Sequence, residues 1–553
     1  MPNFEAYANK YPSHAFVRIN DASIVNITLN KNNVPVIEVN ETYQLLVLKD
    51  NVRELSSWKS FFNGKDEILK TEVYSLVNNK GKARRLNASG FTKLSEVDPV
   101  SYFDDNYSLT AIFPSTSKSD LLCSNTHYRS HDAAFGYKHY FGSNGPVEKS
   151  SLQITVPSHM QLTARLAGNH TDKIKYSTIV KGKTTTHTWE FSDISAYKNE
   201  PYSPAFRYYV PHIVVNIAGF EIDGKYNAYM GDANDFHRWF YSKIKNTNTQ
   251  KNDAIVALSD SITKPYNTRI EKVAAIYAWV QNNIKYIAIV DGDNGFVPQN
   301  AANVIACRYG DCKAKSSVIT AMLHASGEKA SLACIGTRHL PYSFDDFPNI
   351  GTANHMIAIW WKTPEQPVPL DGTTRFLSID EPPAFIQGKQ CFIAIDEQNF
   401  VIHNIPIMQA SNNKTTETLH LKIADNKLIG NGISTMRGET ASTFLQMWEG
   451  KDEKTQKDIV VSFLDLVGNK FEINNIAFEK LAQTINHLQL SYNIALPDYC
   501  VNAGNRLYVN ANIHQPMSDI DLKADRERAV EIEQTIEQNI TTNIEIPIHA
   551  AVS

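Results

Sequence analysis

The sequence predicts an α+β multidomain protein in three parts: an N-terminal antiparallel β-sandwich over residues 1–225, a central α+β domain over 226–400, and a C-terminal β-rich domain over 401–553. Three observations carry that prediction. The chain has 553 residues, far more than the roughly 150 that one hydrophobic core usually organises. Apolar residues alternate with a period of two near both ends of the chain. In the middle they switch to the three-and-four step of amphipathic helices.

The N-terminal strands are the most explicit. In SLQITVP, Leu152, Ile154 and Val156 share one face and Pro157 ends the run. YSTIVKGKTTTHTWEF is two strand-like runs around Lys-Gly-Lys, which signals a hairpin. ASIVNITL and ETYQLLVLKD add strands rich in the β-branched residues that fit a pleated surface. Many short strands joined by Gly, Asn and Ser turns point to a sandwich. Between them, SNTHYRSHD carries His127 and His131, with Cys123 four residues earlier. On a helix these three would face one way and imitate a metal site. No helical apolar stripe surrounds them, so a polar loop is expected instead.

The period changes near residue 226. DANDFHRWFYSKIKN is expected to be helical. In TRIEKVAAIYAWVQNNIKY the set Ile270, Val273, Tyr277, Val280 and Ile284 falls on one helical face. Thr268 with Glu271 three residues on forms a capping box that satisfies the first helical amides. After the irregular VDGDNGFVPQN, KAKSSVITAMLHASG reads as a helix. Ala314, Val318, Met322 and Ala325 lie along its stripe, and Gly327 is its C-terminal stop. SLACIGT, NHMIAIWW and PVPLDGT follow as strands. Trp360 and Trp361 close the second of these, one expected to pack inward and the other to shape a cleft.

From about residue 400 the twofold pattern returns. LHLKIADNKLIGNGIS is a hairpin around an Asp-Asn turn, DEKTQKDIVVSFLDLVG and NIAFEKLAQTI read as helices, and NIEIPIHAAVS is a last strand. GNGIS lacks the third glycine of a dinucleotide loop and lies inside the hairpin pattern, so it is no nucleotide site.

Composition narrows the function. Hydrophobic content of 42%, charged content of 20% and a net charge of −4 describe an ordinary globular chain without the basic footprint that nucleic acid demands. No stretch reaches the roughly 18 apolar residues of a transmembrane helix. The opening MPNFEAYANKYPSHAF has no apolar signal core. The six cysteines, at 123, 307, 312, 334, 391 and 500, contain no CxxC pair and are too sparse for a disulfide scaffold. Cys307 and Cys312 are expected to be two unpaired thiols.

RYGDCKAKS, residues 308–316, is where chemistry concentrates. Asp311 stands where a helix N-cap would, so Cys312 falls in the first turn, where helix amides and the positive end of the dipole favour a thiolate. Gly310 would let the backbone turn and a substrate approach. An isolated cysteine at a helix start is more often structural, so a base is needed nearby. His355 opens the strand NHMIAIWW and could serve as that base. Asp371 ends PVPLD, and across an antiparallel pair of strands it could orient the imidazole. The backbone N–H of Cys312 is one candidate oxyanion donor, with Tyr286 or Gln299 as the second.

RYGDCKAKS, ANHMIAIWW and PLDGTTR together resemble the Cys–His–Asp core of the transglutaminase-like superfamily, a papain-like fold. The flanking β regions are similar to those of a Bacteroidetes-type bacterial group in which that core lies between two domains of unknown function. Only the three core motifs are specific. The resemblance implies Cys312 as nucleophile, His355 as base and Asp371 as orienter, acting through a thioester on an amide of a protein or peptide substrate. Water would give peptidase or amidase behaviour, and an amine would give transfer. The resemblance requires no cofactor and no metal. One departure is Ala314, where the group often has an acidic residue after the Cys-Lys pair. Relatives usually carry export signals, which implies a periplasmic or cell-surface location with a signal peptide outside this sequence. The residues themselves leave a cytoplasmic location open. The alternative is a non-catalytic binding or scaffold protein, in which the β domains do the work and the core is a retained fold.

Overall fold

Two stacked sheets make up most of the N-terminal half, beside a smaller three-stranded sheet of Ser57–Phe62, Tyr107–Ile112 and Thr92–Ser95. The structure is a computed structural model and describes residues 1–553 except 80–81, 97–100, 105, 291–294, 465–470, 481–486, 498, 512, 515–521, 523–524 and 548–553. The larger sheet has eight strands in the order Lys175–Lys181, Thr184–Ile194, Val147–Pro157, Phe16–Leu29, Pro35–Val47, Leu121–Ser130, Asp66–Asn79, Lys82–Asn87. Neighbours run antiparallel except Phe16–Leu29 beside Val147–Pro157, which are parallel. The second sheet places His212–Ile222 between Tyr137–Tyr140 and Met160–Ala167. Val25, Ile27, Ile154 and Trp189 of one sheet meet Tyr137, Ile213, Val215 and Ile217 of the other in a common core. The alternating residues Leu152, Ile154 and Val156 are buried, at 0%, 0% and 1% exposure, so the twofold pattern is a face turned to this core.

One N-terminal expectation is corrected. Cys123, His127 and His131 are not in a polar loop: the first two lie on Leu121–Ser130, paired on both sides within the eight-stranded sheet, and His131 follows directly. Their strand is interior yet half polar. Ser124 and Thr126 are buried hydroxyls, so the apolar alternation that would have marked a strand is missing. His127 Nε2 lies 2.8 Å from Glu38 Oε1.

The central region packs five helices against an antiparallel sheet. That sheet runs in the order Gln366–Leu370, His355–Thr363, Ala330–Ile335, Gln390–Ala394, Phe400–Asn404. The helices are Ala233–Ile244, Asp253–Thr263, Arg269–Asn283, Ala301–Cys307 and Cys312–Ala325. The capping box at Thr268 and Glu271 forms with both reciprocal bonds. Val273, Tyr277, Val280 and Ile284 are buried, but Ile270 is 48% exposed, because it sits in the first turn before the helix meets its neighbours. Cys312–Ala325 is the central helix. It packs on Ala330–Ile335 and His355–Thr363 on one side and on three helices on the other, and Gly327 just beyond it has φ +79°.

In the C-terminal region a five-stranded sheet runs Glu472–Lys480, His487–Leu496, Lys427–Arg437, Lys414–Ala424, Glu537–Glu545. The Asp-Asn hairpin forms, with Asp425 at φ +49° and Asn426 at φ +60°. DEKTQKDIVVSFLDLVG is helical over Glu453–Phe463. NIAFEKLAQTI is not: residues 475–480 belong to the strand Glu472–Lys480, and 481–485 lie outside the described residues. A bulge between Asn474 and Ala477 lets Ile473 and Ile476, three positions apart, meet the same core, and that spacing imitates a helical stripe. The last strand ends at Glu545, so the close of NIEIPIHAAVS falls largely outside the described residues.

Candidate active site

Asp311 is the N-cap of the helix Cys312–Ala325: its side chain accepts from the Ala314 N–H at 3.0 Å. Cys312 therefore begins the helix, where backbone N–H groups have no intrahelical partner. The two residues ahead of the cap, Tyr309–Gly310, pair as a short parallel strand with Lys285–Tyr286. Gly310 has a different reason from the one expected. A Cβ there would stand 2.4 Å from the Ala314 Cβ, so the glycine makes room for the helix rather than for a substrate. Ala314 is itself fully buried. Lys313, the residue before it, pairs with Asp311.

His355 opens the strand His355–Thr363, and Asp371 follows the end of its antiparallel neighbour, Gln366–Leu370. The register sets Ala358 against Leu370, which brings the two side chains to the same end of the pair. His355 Nε2 lies 2.8 Å from Asp371 Oδ2. Asp371 is almost fully enclosed, and its other oxygen accepts from the Thr373 N–H at 3.0 Å and the Thr373 hydroxyl at 2.6 Å. All of this holds the carboxylate in place without leaving an unmatched buried acceptor. The Phe385 ring meets the imidazole edge-on at 5.4 Å.

Electrostatics follow from that enclosure. Burial disfavours a charged imidazole, but the Asp371 carboxylate and then Cys312 outweigh it, and His355 is held well above the ordinary imidazole range. Burial likewise opposes the Asp371 carboxylate, and His355 and Thr373 overcome it, so Asp371 stays below its ordinary value. With Nε2 engaged by Asp371, Nδ1 is the ring nitrogen left for the sulfur. The Ser316 hydroxyl, one turn into the helix, donates to Cys312 O (2.8 Å) and Met356 O (3.1 Å), tying the cysteine's turn to the residue after His355.

Two further residues were missed from sequence. Lys315 is 1% exposed, and its Nζ donates to the Gly372 carbonyl at 2.9 Å, directly behind Asp371. Burial pulls its pKa down to about 8. Tyr277 donates its hydroxyl to the Asp371 carbonyl at 2.7 Å. Lys315 lies on the stripe side of its helix, where an ammonium is not expected, and that misplacement was the available signal.

Cys312 is partly exposed, and it opens with His355 into a cleft of about 600 Å³. Tyr286 lines that cleft. Gln299 does not; its carbonyl accepts from the Ser317 hydroxyl at 2.7 Å, just ahead of the helix Ala301–Cys307. Neither tryptophan shapes the cleft. Trp360 and Trp361 are 1% and 5% exposed, donating to Glu328 and Ser331. All six cysteines are free thiols, with Cys123, Cys334, Cys391 and Cys500 buried and Cys307 exposed. Among the described residues no group of three His, Cys, Asp or Glu side chains is placed to hold a metal.

Residues 256–347 match the transglutaminase-like superfamily, a span that contains Cys312 and ends before His355. Residues 37–198 match a domain of unknown function, DUF3857. The "putative protease from Parabacteroides distasonis ATCC 8503" is 11% identical, with a TM-score of 0.55 over 87% of this chain and 93% of its own, a likeness of fold. The "putative cysteine protease from Cytophaga hutchinsonii" is 13% identical over 65% of this chain and 78% of its own, with a TM-score of 0.17 that adds nothing to the comparison. No curated protein matches.

Proposed function

We propose that this chain, a transglutaminase-like multidomain protein with an N-terminal domain of unknown function, performs acyl transfer at amide bonds with Cys312 as nucleophile. The observation that carries the reading is the alignment of three groups separated along the chain: a cysteine at a helix start, an imidazole at a strand start, and a buried carboxylate 2.8 Å from that imidazole. The cysteine-based character is common to the superfamily that residues 256–347 match. The specific reaction is our inference from the residues.

In the proposed sequence, the Cys312 thiolate attacks the amide carbonyl and the oxygen takes up the electron pair. The Cys312 N–H, with Tyr286 on the cleft wall, is suited to hold that oxyanion. The electron pair returns, the C–N bond breaks, and His355, charged through Asp371, donates its proton to the departing amine. A thioester remains on Cys312. Neutral His355 then takes a proton from water or from a second amine, whose attack releases acid or a new amide and restores the thiolate. The substrate is a protein or peptide amide, consistent with the protease designation borne by the structure from Parabacteroides distasonis.

The test is a mixture of amine-blocked peptides incubated with the protein, with and without a dansylated amine. New free amino termini report hydrolysis, and dansyl incorporation reports transfer. One or both are expected, and both vanish in Cys312→Ala. If the wild-type protein yields neither product, or Cys312→Ala yields as much, the reading fails.

A further inference from the structure

The cleft wall facing Cys312 comes from the N-terminal β region, and one side chain on it is unlike a packing contact. Phe135 ends the short turn Ala133–Phe135. Ala133 and Ala134 are buried at 2% and 8% exposure, whereas Phe135 remains 42% exposed and lines the cleft.

The turn is fixed on every side. Asp132, which precedes it, pairs with Lys65 Nζ at 3.0 Å. Gly136, which follows, has φ +66°, and a Cβ there would stand 2.2 Å from the Val215 carbonyl oxygen, so the backbone is pressed against the second sheet. Ala134 belongs to the same apolar cluster as Cys334, Ile350 and Met356, with Cys312 packed against it. The turn is therefore seated in the half of the molecule that carries the cysteine. Across from Phe135, Phe296 approaches with ring centroids 5.6 Å apart and is itself backed by Trp239 at 5.0 Å.

An exposed aromatic on a convex surface needs no explanation. One on a seated turn inside a concave cleft, beside a second aromatic and in the same cleft as a nucleophile, is binding surface. Of the charged groups at the same mouth, Lys65 pairs with Asp132 and Lys313 with Asp311, and the Asp66 carboxylate accepts from the Asn63 N–H. We propose that Phe135 and Phe296 form an apolar subsite, so that the cleft selects amides bearing an aliphatic or aromatic side chain beside the carbonyl that Cys312 attacks. The N-terminal β region then forms part of the active site. This inference rests on Cys312 being the nucleophile.

Two peptidyl acyloxymethyl ketones identical except at the residue next to the ketone, one phenylalanyl and one aspartyl, test it. The thiolate displaces the carboxylate, forming a C–S bond as the C–O bond breaks, so labelling is read by intact mass. Wild-type protein is expected to react at least about tenfold faster with the phenylalanyl probe, the range a hydrophobic pocket achieves. Phe135→Leu keeps that preference and Phe135→Asp abolishes it. Iodoacetamide, which carries no side chain, reports in parallel whether the thiolate is intact in each variant. Equal rates for the two probes in wild type, or an unchanged preference in Phe135→Asp, overturn the subsite. Failure of iodoacetamide to single out Cys312 in wild type overturns the nucleophile assignment instead, and the subsite with it.

Discussion

His355 Nε2 and Asp371 Oδ2 stand 2.8 Å apart inside the protein, with the carboxylate side chain 1% exposed and the imidazole 9%. The pair has consequences for stability as well as for chemistry. The folded-state pKa of His355 is raised, so its contribution is complete below its ordinary 6.5 and is lost as pH rises through the higher folded value. That of Asp371 is depressed, so its contribution is complete above 3.8 and is lost as pH falls through the lower folded value. Both contributions are complete from about pH 3.8 to 6.5.

Asp371→Ala should therefore destabilise the fold by about 3 kcal/mol, the usual effect of removing one partner of a buried charged pair. The deficit should be greatest inside that pH window and shrink above it. Urea melts at pH 5.5, 7 and 9 give the measurement. A deficit that does not change with pH would mean that the pair is not charged in the folded protein.

Lys315 makes the opposite kind of prediction. Holding an ammonium whose pKa has fallen from 10.5 to about 8 costs about 3 kcal/mol below pH 8, against about 1 kcal/mol from its hydrogen bond to Gly372. Lys315→Met should be more stable than wild type at pH 7, by about 2 kcal/mol. Because the folded pKa lies below the unfolded one, the wild type recovers stability between pH 8 and 10.5, and the gap should close there. Peptide turnover in the same variant should fall by about tenfold or more, since the loop carrying Asp371 loses its anchor. Chemical melts at pH 7 and 10, with kcat measured alongside, decide both halves.

Tyr286 gives a third prediction. If its hydroxyl helps to hold the oxyanion, Tyr286→Phe should lower kcat about 100-fold with KM little changed. The same variant should leave the alkylation of Cys312 by iodoacetamide as it was, because no oxyanion forms in that reaction. A raised KM with kcat intact would place Tyr286 in substrate binding instead.

Much of the core was legible because local signals and tertiary packing agree there. Thr268 with Glu271, Asp311 ahead of Cys312, and Gly327 after the helix each mark a boundary that the fold keeps. His355 and Asp371 were legible as strand-end polar residues, although their meeting depends on a strand register that no local pattern specifies. The misreadings share a physical origin. The bulge after Asn474 let Ile473 and Ile476 serve one core at a spacing of three, and the buried hydroxyls of Ser124 and Thr126 erased the alternation of an interior strand. Lys315 was hidden because its partner is a backbone carbonyl far along the chain. Phe135 was hidden because a cleft between two regions is a property of their docking, not of either segment.

The most direct test of the central claim is the rate at which iodoacetamide labels each cysteine between pH 5 and 9, with sites read by peptide mass. Burial pushes the thiol of Cys123 up to about 11 and that of Cys391 to about 12, and raises those of Cys334 and Cys500, so these four should stay silent in the folded protein. Cys307 is exposed and serves as the internal reference. Cys312 should react at least about tenfold faster than Cys307 at pH 6, as a cysteine activated by a neighbouring base does, and His355→Ala should remove that advantage. Equal rates for Cys312 and Cys307 at pH 6, or a Cys312 rate indifferent to the loss of His355, would contradict it.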